Sequence, residues 1–334
     1  MKSILLSFLL LILPVNSWAE VRIASWNIQR MTSENKDMNA IVKIASYFDV
    51  IGIQEVMEEQ ALVDLAQKLT ISTNEEWGVL VSHPIGRGSY KESYGFIWRK
   101  SQIDYYDSAV VYLDDNDVFT REPLSAKFQL KTGEKIILAN VHILYGDSKN
   151  DRIPEIKALS NYWEWLAATF PNEQYIILGD FNLNPNEPEF DSLKKYAYPA
   201  ITSGASTLKN ANSEYANLYD NIWYPKNLDG NLSSGILRYP EILNWTHEYA
   251  KAKVSDHAPV FLIIKRFDDD SGLFQEKFKT DYVINYVRGN KNSMIYHLKG
   301  CPSYKAMEGS ENLVEFFSEQ DAVYAGYKKA GNCN

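Results

Sequence analysis

Short apolar runs, each stopped by a polar residue, set the pattern along this chain. Residues 21–27 alternate apolar and polar positions and predict a strand that ends on the amide of Asn27. Within 49–55, which ends on the carboxylate of Glu55, Val50 to Ile53 carry no polar side chain, and neither does most of 175–178, which predicts buried strands. Similar runs predict strands at 79–81, 94–98, 109–112, 126–130, 136–143, 221–224 and 260–264. Three segments carry the helical period instead. Ile41, Ile44 and Ala45 predict a helix reaching Tyr47, and Leu62, Leu65 and Leu69 form one stripe of a helix over 60–69. A third helix, with a Trp-rich apolar face, is predicted over 153–168. Helices separate some strands and hairpins join others. That mixture predicts an α+β fold, a four-layer α/β/β/α sandwich of two packed mixed sheets, rather than an alternating barrel.

The two ends of the chain break this pattern. Lys2, an apolar run from Ile4 to Leu13, Pro14 and then Ser17-Trp18-Ala19 have the layout of a signal peptide over residues 1–19. The run is too short for a comfortable membrane span, and no second segment is long and apolar enough for one. The expected product is exported, periplasmic or extracellular, without stable membrane association and monomeric. Residues 20–267 form the expected catalytic domain. Asp268-Asp269-Asp270-Ser271-Gly272 opens a linker over 268–278, and a small α+β module follows over 279–334. Both cysteines, Cys301 and Cys333, lie in that module. In an exported chain one disulfide is the simplest reading, with two free thiols or half of a metal site as alternatives.

Composition narrows the chemistry. The 334 residues carry 34 basic and 43 acidic side chains, a formal charge of −9. That excludes coating of nucleic acid by charge alone. It leaves room for a nuclease, because clustered carboxylates bring their own divalent cations. The strand ends supply such a cluster. Asn27, Glu55, His142, Asp180 with Asn182, and Asp256 with His257 each stand at or beside the end of an apolar run. In extended chain Asp180 and Asn182 project together while Phe181 points into the core. Hard cations prefer oxygen ligands such as Glu55 and Asp180. Histidine accepts or donates protons at neutral pH when a partner fixes its tautomer. Glu92 is the candidate partner of His142, and Asp220 that of His257. Together these groups are what phosphodiester hydrolysis needs. His83, His247 and His297 read as structural.

Ser25-Trp26-Asn27-Ile28, Ile53-Gln54-Glu55-Val56, the His142 strand, Gly179-Asp180-Phe181-Asn182 and Ser255-Asp256-His257-Ala258-Pro259 occur in that order. The series resembles the endonuclease/exonuclease/phosphatase superfamily across nearly all of residues 20–267, and within it the deoxyribonuclease I type. The segment from Val81 to Tyr94 looks like that type's minor-groove loop, and Thr120-Arg121-Glu122-Pro123 like its phosphate-contacting segment. The resemblance implies Glu55 as main metal ligand, with Asn27, Asp180, Asn182 and Asp256 completing a cation and phosphate site. The cation would be Mg2+, with Mn2+ or Ca2+ as alternatives. His142 with Glu92 and His257 with Asp220 would handle protons, the base and acid roles being open, with Asp180 beside them. Arg121 would hold a phosphate, and Tyr90 and Arg87 would lie against the minor groove of a double-stranded DNA substrate. Little sequence specificity is then expected.

The chain departs from that type in places. Met57 stands where the family enzyme has a DNA-contacting arginine, and the catalytic region has no cysteine. The tail, through Gly300-Cys301-Pro302 and Asn332-Cys333, resembles a small Ada-like module, but Ala330 stands where a further thiolate is expected. A phosphatase or sphingomyelinase on the same scaffold is the enzymatic alternative. A non-catalytic DNA-binding or host-targeting protein is the other.

Overall fold

A computed structural model of the chain describes residues 19–210, 214–228, 230–266, 287–307, 310, 312–316, 319–324 and 326–333. Residues 1–18 of the expected export segment, and the whole expected linker, lie outside the described residues. The region before the linker runs β1 (Ala19–Met31), α1 (Met38–Ala45), β2 (Val50–Val56), α2 (Glu59–Thr73), β3 (Trp77–Val81) and β4 (Ser93–Arg99). It continues with β5 (Ile103–Val111), β6 (Leu124–Leu130), β7 (Lys135–His142), α3 (Lys149–Thr169), β8 (Gln174–Asp180) and β9 (Ala197–Pro199). It closes with β10 (Asp220–Pro225), β11 (Asn231–Ile236), α4 (Tyr239–Leu243), α5 (His247–Lys253) and β12 (Val260–Arg266).

The strands form two six-stranded mixed sheets, ordered β11-β12-β1-β2-β4-β3 and β5-β6-β7-β8-β10-β9. The sheets face each other across one core, and helices cover their outer faces. Strand alternation explains why the runs read as apolar throughout. In β8, Ile176 and Leu178 join the core between the sheets, while Ile177 packs outward with Leu159, Tyr162 and Leu166 of α3. In β1, Ile23 faces inward, and Trp26 packs outward with Ile41, Ile44 and Leu65. Each such fully buried aliphatic side chain contributes roughly 1.5–3 kcal/mol. The four-layer sandwich expected from the sequence is the observed fold.

A polar network crosses the core between the sheets. Asn140 of β7 donates through Nδ2 to the carbonyls of Ile53 (3.0 Å) and Gly95 (3.1 Å) in the opposite sheet. Its Oδ1 accepts from Gln54 Nε2 at 2.6 Å, and Gln54 Nε2 also reaches Ser25 Oγ at 3.1 Å. All three side chains are fully buried. Hydrogen bonds of this kind are directional, so they fix how one sheet lies on the other.

Differences from the sequence reading lie at the sheet margins, where edge strand β9 was also unexpected, and in the short helices α4 and α5, which no helical period predicts. The strand expected at 109–112 is the end of β5, a longer edge strand with register breaks between Tyr105 and Val110. Its outward residues are exposed, so no apolar run marks residues 103–108. The edge strand β11 reads Asn-Leu-Ser-Ser-Gly-Ile and escaped notice for the same reason. The helix α3 starts earlier than its apolar stripe because Ser148 and Asp151 form a capping box, and Pro154 sits inside it.

In the tail, β13 (Val287–Asn290), β14 (Ile295–His297), β15 (Leu313–Phe316) and β16 (Lys328–Lys329) form a sheet ordered β15-β13-β14-β16, with α6 (Glu319–Tyr324) beside it. Val287, Tyr296, Val314, Ala322 and Tyr327 make its small core. Cys301 and Cys333 form the expected disulfide.

Replacing Asn140 by Ala removes the shortest of the Gln54 amide's hydrogen bonds and the side-chain donor to two carbonyls in the core. The expected cost is about 2–4 kcal/mol of unfolding free energy, read from urea denaturation with the slope unchanged.

Candidate active site

Register builds the site. In the parallel pair β7–β8, His142 lies opposite Asp180, and in the antiparallel pair β8–β10, Asp180 lies opposite Asp220. Three neighbouring strands therefore set His142, Asp180 and Asp220 side by side. Asn27 and Glu55 come from β1 and β2 of the facing sheet. The loop before β12 brings Asp256 and His257. That loop is held by Trp26 Nε1 donating to the His257 carbonyl (2.9 Å) and by Ser255 Oγ donating to the Asn27 carbonyl (2.6 Å). Glu55, His142, Asp180, Asn182, Asp256 and His257 all line one cleft of about 300 Å³.

His142 is 7% exposed, and its Nδ1 lies 2.6 Å from Glu92 Oε1. Glu92, 1% exposed, also accepts from Tyr90 Oη at 3.0 Å. Burial works against the charge on each member of the pair. It is outweighed on Glu92 by His142, Arg121 and the Tyr90 phenol, which hold the carboxyl below its usual range. On His142, burial and Arg121 oppose the proton and Glu92 favours it, leaving the imidazole above its usual range. The His142 backbone N–H donates to Tyr94 Oη at 2.9 Å, which fixes the end of β7.

The second imidazole has the same plan on the other side. His257 Nδ1 lies 2.8 Å from Asp220 Oδ2, and Ser206 Oγ donates to that same oxygen at 2.5 Å. Asp220 is fully buried. Burial again opposes the imidazolium, but Asp220 and Asp180 overcome it and raise His257 well above its usual range. The remaining ring nitrogens converge. His142 Nε2 and His257 Nε2 lie 3.6 Å and 3.7 Å from one atom, Asp180 Oδ2.

Beside that atom lies an oxygen cluster suited to a hard cation. Asn27 Nδ2 donates to both Glu55 Oε1 (2.9 Å) and Asp180 Oδ2 (3.1 Å), so one amide bridges two carboxylates. Among the described residues, no Lys or Arg side chain stands at ion-pair distance from Glu55 or Asp180. Two juxtaposed acids without a fixed cation fit a divalent ion. Asp180, Asp220 and His257 also place ligating atoms within 4.8 Å of one another. There the His257 nitrogen facing Asp220 is already used, so this trio reads as a carboxylate–imidazole–carboxylate chain.

Other predicted residues fall in unexpected places. Asn182 does not continue an extended strand. Its φ is 51°, its N–H donates to Asp180 Oδ1 at 2.9 Å, and its amide donates to the Ile143 carbonyl at 2.8 Å. Arg121 is 6% exposed and points inward, donating to the carbonyls of His142 (3.1 Å) and Ile143 (3.3 Å), 3.7 Å from Glu92. It props the His142 strand from behind. Tyr90 lies under the Arg30 guanidinium, 5.4 Å from its ring centre, and exposed Arg87 pairs with Asp117 at 2.8 Å. His247 is structural as expected, its Nδ1 lying 2.9 Å from the Glu214 carbonyl. No sequence signal marks Ser206, or half-buried Lys36. Burial pulls that ammonium below its usual range, against the attraction of Asp256 and Glu55.

Residues 24–257 match the Endonuclease/Exonuclease/phosphatase family. The chain belongs to that family. Over 268 residues it is 42% identical to the Deoxyribonuclease of Thioalkalivibrio sp. (strain K90mix), covering 77% of this chain and 74% of that protein. It is 28% identical over 280 residues to Deoxyribonuclease-1-like 1 of Sus scrofa, covering 78% of this chain and 86% of the pig protein. A 177-residue stretch is 33% identical to human Deoxyribonuclease-1, covering 48% of this chain and 60% of the human one. The fold matches an endonuclease/exonuclease/phosphatase family protein from Bacteroides thetaiotaomicron with a TM-score of 0.55 at 17% identity, over 76% of this chain and 100% of that one.

In this member of the family, Gly179 sets the spacing that Asp180 needs. A Cβ there would meet the Val141 carbonyl oxygen of β7 at 1.9 Å. Gly179→Ala is expected to push β8 off β7 and displace Asp180 from both imidazoles. A lowered melting temperature is expected, with on the order of a hundredfold loss of hydrolysis of a chromogenic phosphodiester. Unchanged turnover would show that this close approach is not needed.

Proposed function

We propose that the chain is an exported, divalent-metal-dependent endonuclease that hydrolyses DNA phosphodiester bonds with little sequence specificity. One observation carries the reading: two imidazoles, each backed by a buried carboxylate, point their Nε2 atoms at a single oxygen of Asp180. The 42% identity to a bacterial protein named Deoxyribonuclease supports DNA as substrate. Export rests on the layout of residues 1–19, and no described helix is long and apolar enough to cross a membrane. For the tail we keep the Ada-like resemblance, with a role as a disulfide-closed stabilising cap.

A phosphodiester in the cleft lies between His142 and His257. One neutral imidazole takes a proton from water as its oxygen bonds to phosphorus. The bond from phosphorus to the 3′-oxygen breaks in line. The opposite imidazolium gives its proton to that oxygen, leaving a 5′-phosphate and a 3′-hydroxyl. Glu92 and Asp220 orient the rings and stabilise their charged forms. Glu55, Asp180, Asn27, Asn182 and Asp256 are the proposed holders of Mg2+, with Mn2+ or Ca2+ as alternatives. A bound divalent cation supplies neutralisation of charge on the phosphoryl oxygens.

Magnesium-dependent nicking of supercoiled plasmid by the purified protein tests the reading. EDTA is expected to abolish nicking, and His142→Ala or His257→Ala to lower it by roughly 10²–10⁴-fold. Full activity in either variant would remove the mechanism. Turnover of sphingomyelin or a phosphoinositide, with plasmid left intact, would move the assignment to the lipid-directed alternative.

The pH profile separates the two histidines. Both imidazoles sit above their usual range, so the one that must be neutral limits the rate at low pH. The rate is expected to climb with pH until that group loses its proton. Removing a supporting carboxylate lowers the pKa of its imidazole and shifts the climb toward acid. Glu92→Gln should do this if His142 is the base, and Asp220→Asn if His257 is. A climb that neither substitution moves would rule out both assignments.

A further inference from the structure

The cleft wall beside Asn182 holds a cluster that phosphodiester cleavage does not use. Arg152, near the start of α3, is 8% exposed. Its Nε donates to the Tyr145 carbonyl (2.8 Å), and its Nη1 to the Asn182 carbonyl (2.5 Å) and to Tyr219 Oη (3.3 Å). The guanidinium carbon lies 4.2 Å from the Tyr145 ring centre and 5.5 Å from that of Tyr219. The two rings meet edge to face at 6.4 Å. Among the described residues no carboxylate stands at ion-pair distance from Arg152. Tyr145 is 56% exposed, and both tyrosines line the cleft with His142, Asp180 and His257.

A guanidinium meant only to tie two loops together would be served by the carbonyls it already holds. Two further features have no such use. One is an aromatic face left open to solvent at the mouth of a polar cleft. The other is a buried guanidinium that no carboxylate contacts, Asp151 acting on it only from beyond ion-pair distance. An open ring beside a cation whose charge no carboxylate contacts is the combination that holds single-stranded nucleic acid, the ring stacking on a base while the charge favours the phosphate. Paired bases inside a duplex offer no free face to such a ring. The opposite wall differs in exposure: both rings are backed by a guanidinium, but Tyr90 is half-buried with its phenol held by Glu92, whereas Tyr145 is 56% exposed.

We propose that Tyr145, backed by Arg152 and Tyr219, is a nucleobase-stacking subsite that takes an unstacked base adjoining the scissile phosphate. The proposal rests on nucleic acid being the substrate. It extends the activity from duplex DNA to single strands, frayed ends and flipped-out nucleotides.

The test compares the full-length wild type, Tyr145→Ala and Tyr145→Trp in magnesium. Anisotropy reads binding of a labelled single-stranded phosphorothioate oligonucleotide that resists cleavage. Steady-state kinetics read kcat/KM on the ordinary oligonucleotide and on supercoiled plasmid. The alanine variant is expected to bind the single strand roughly tenfold more weakly. Its loss of kcat/KM on the single strand should exceed its loss on plasmid by a similar factor, and tryptophan should restore both. Equal losses on the two substrates, or binding that does not depend on residue 145, would overturn the subsite. Two mixed results separate the claims. Tyr145-dependent binding without cleavage of either substrate upholds base stacking at Tyr145 but overturns its place beside a scissile phosphate, and sinks the nuclease reading. Cleavage with Tyr145-independent binding sinks the subsite and upholds the nuclease reading.

Discussion

The Asn140 amide, reaching from one sheet to the backbone of the other, is the contact on which the site depends. Apolar packing holds the sheets together but is not directional, so it tolerates a slide of one layer over the other. Hydrogen bonds to the Ile53 and Gly95 carbonyls do not. Asn140 stands two residues before His142, and Gln54, its partner, stands one residue before Glu55. The polar bridge thus lies directly beneath the catalytic rim. Half of that rim comes from each sheet, so a slide of one residue would separate Asn27 from Asp180. Burying three polar side chains there costs desolvation, and their mutual hydrogen bonds offset it.

The two imidazoles look symmetric but are not. Glu92 is shared among His142, Tyr90 and the Arg121 guanidinium. Its hold on the His142 proton is divided accordingly, and Arg121 adds direct repulsion. Asp220 serves His257 with only the Ser206 hydroxyl as competitor, and its Oδ1 has no hydrogen-bond partner among the described residues. Both imidazoles are held above their usual range, and at His257 Asp180 and Asp256 add to the pull of Asp220. The difference between the two lies in their surroundings and not in the imidazole–carboxylate contacts themselves, which are alike at 2.6 Å and 2.8 Å. On the nuclease reading, such differently placed groups are what separate acid and base roles require.

Much of this was legible in the sequence because buried parallel strands announce themselves. A run such as Tyr175-Ile176-Ile177-Leu178 has few other uses, and the polar residue that stops it stands at a sheet's rim. That reasoning located Asn27, Glu55, His142 and Asp180 before any geometry. It failed where local geometry departs from the period. Asn182 sits in a left-handed turn, so its alliance with Asp180 is a turn contact rather than the alternation of a strand. Edge strands β5 and β11 carry polar or exposed residues, because a rim faces water on one side. Arg121 was expected at a phosphate, but basic residues give no sequence sign of which way they point. Ser206 reaches Asp220 fourteen residues on, and Arg152 reaches Asn182 thirty residues on, separations no local pattern records.

An acidic protein acting on a polyanion needs its positive charge concentrated at the point of reaction. With a formal charge of −9, this chain gains nothing from long-range attraction. The few cations at the cleft are placed singly: Lys36 drawn toward Glu55 and Asp256, Arg30 over Tyr90, Arg152 behind Tyr145. Arg121 is turned inward and largely spent on backbone carbonyls. On the nuclease reading, the acids at the cleft floor then have two linked tasks. They repel the substrate until a divalent ion binds, and they hold that ion where the phosphate must sit. Substrate affinity and catalysis are thereby tied to the same cation, and a chain without the usual basic surface is kept from gripping nucleic acid that it cannot cut.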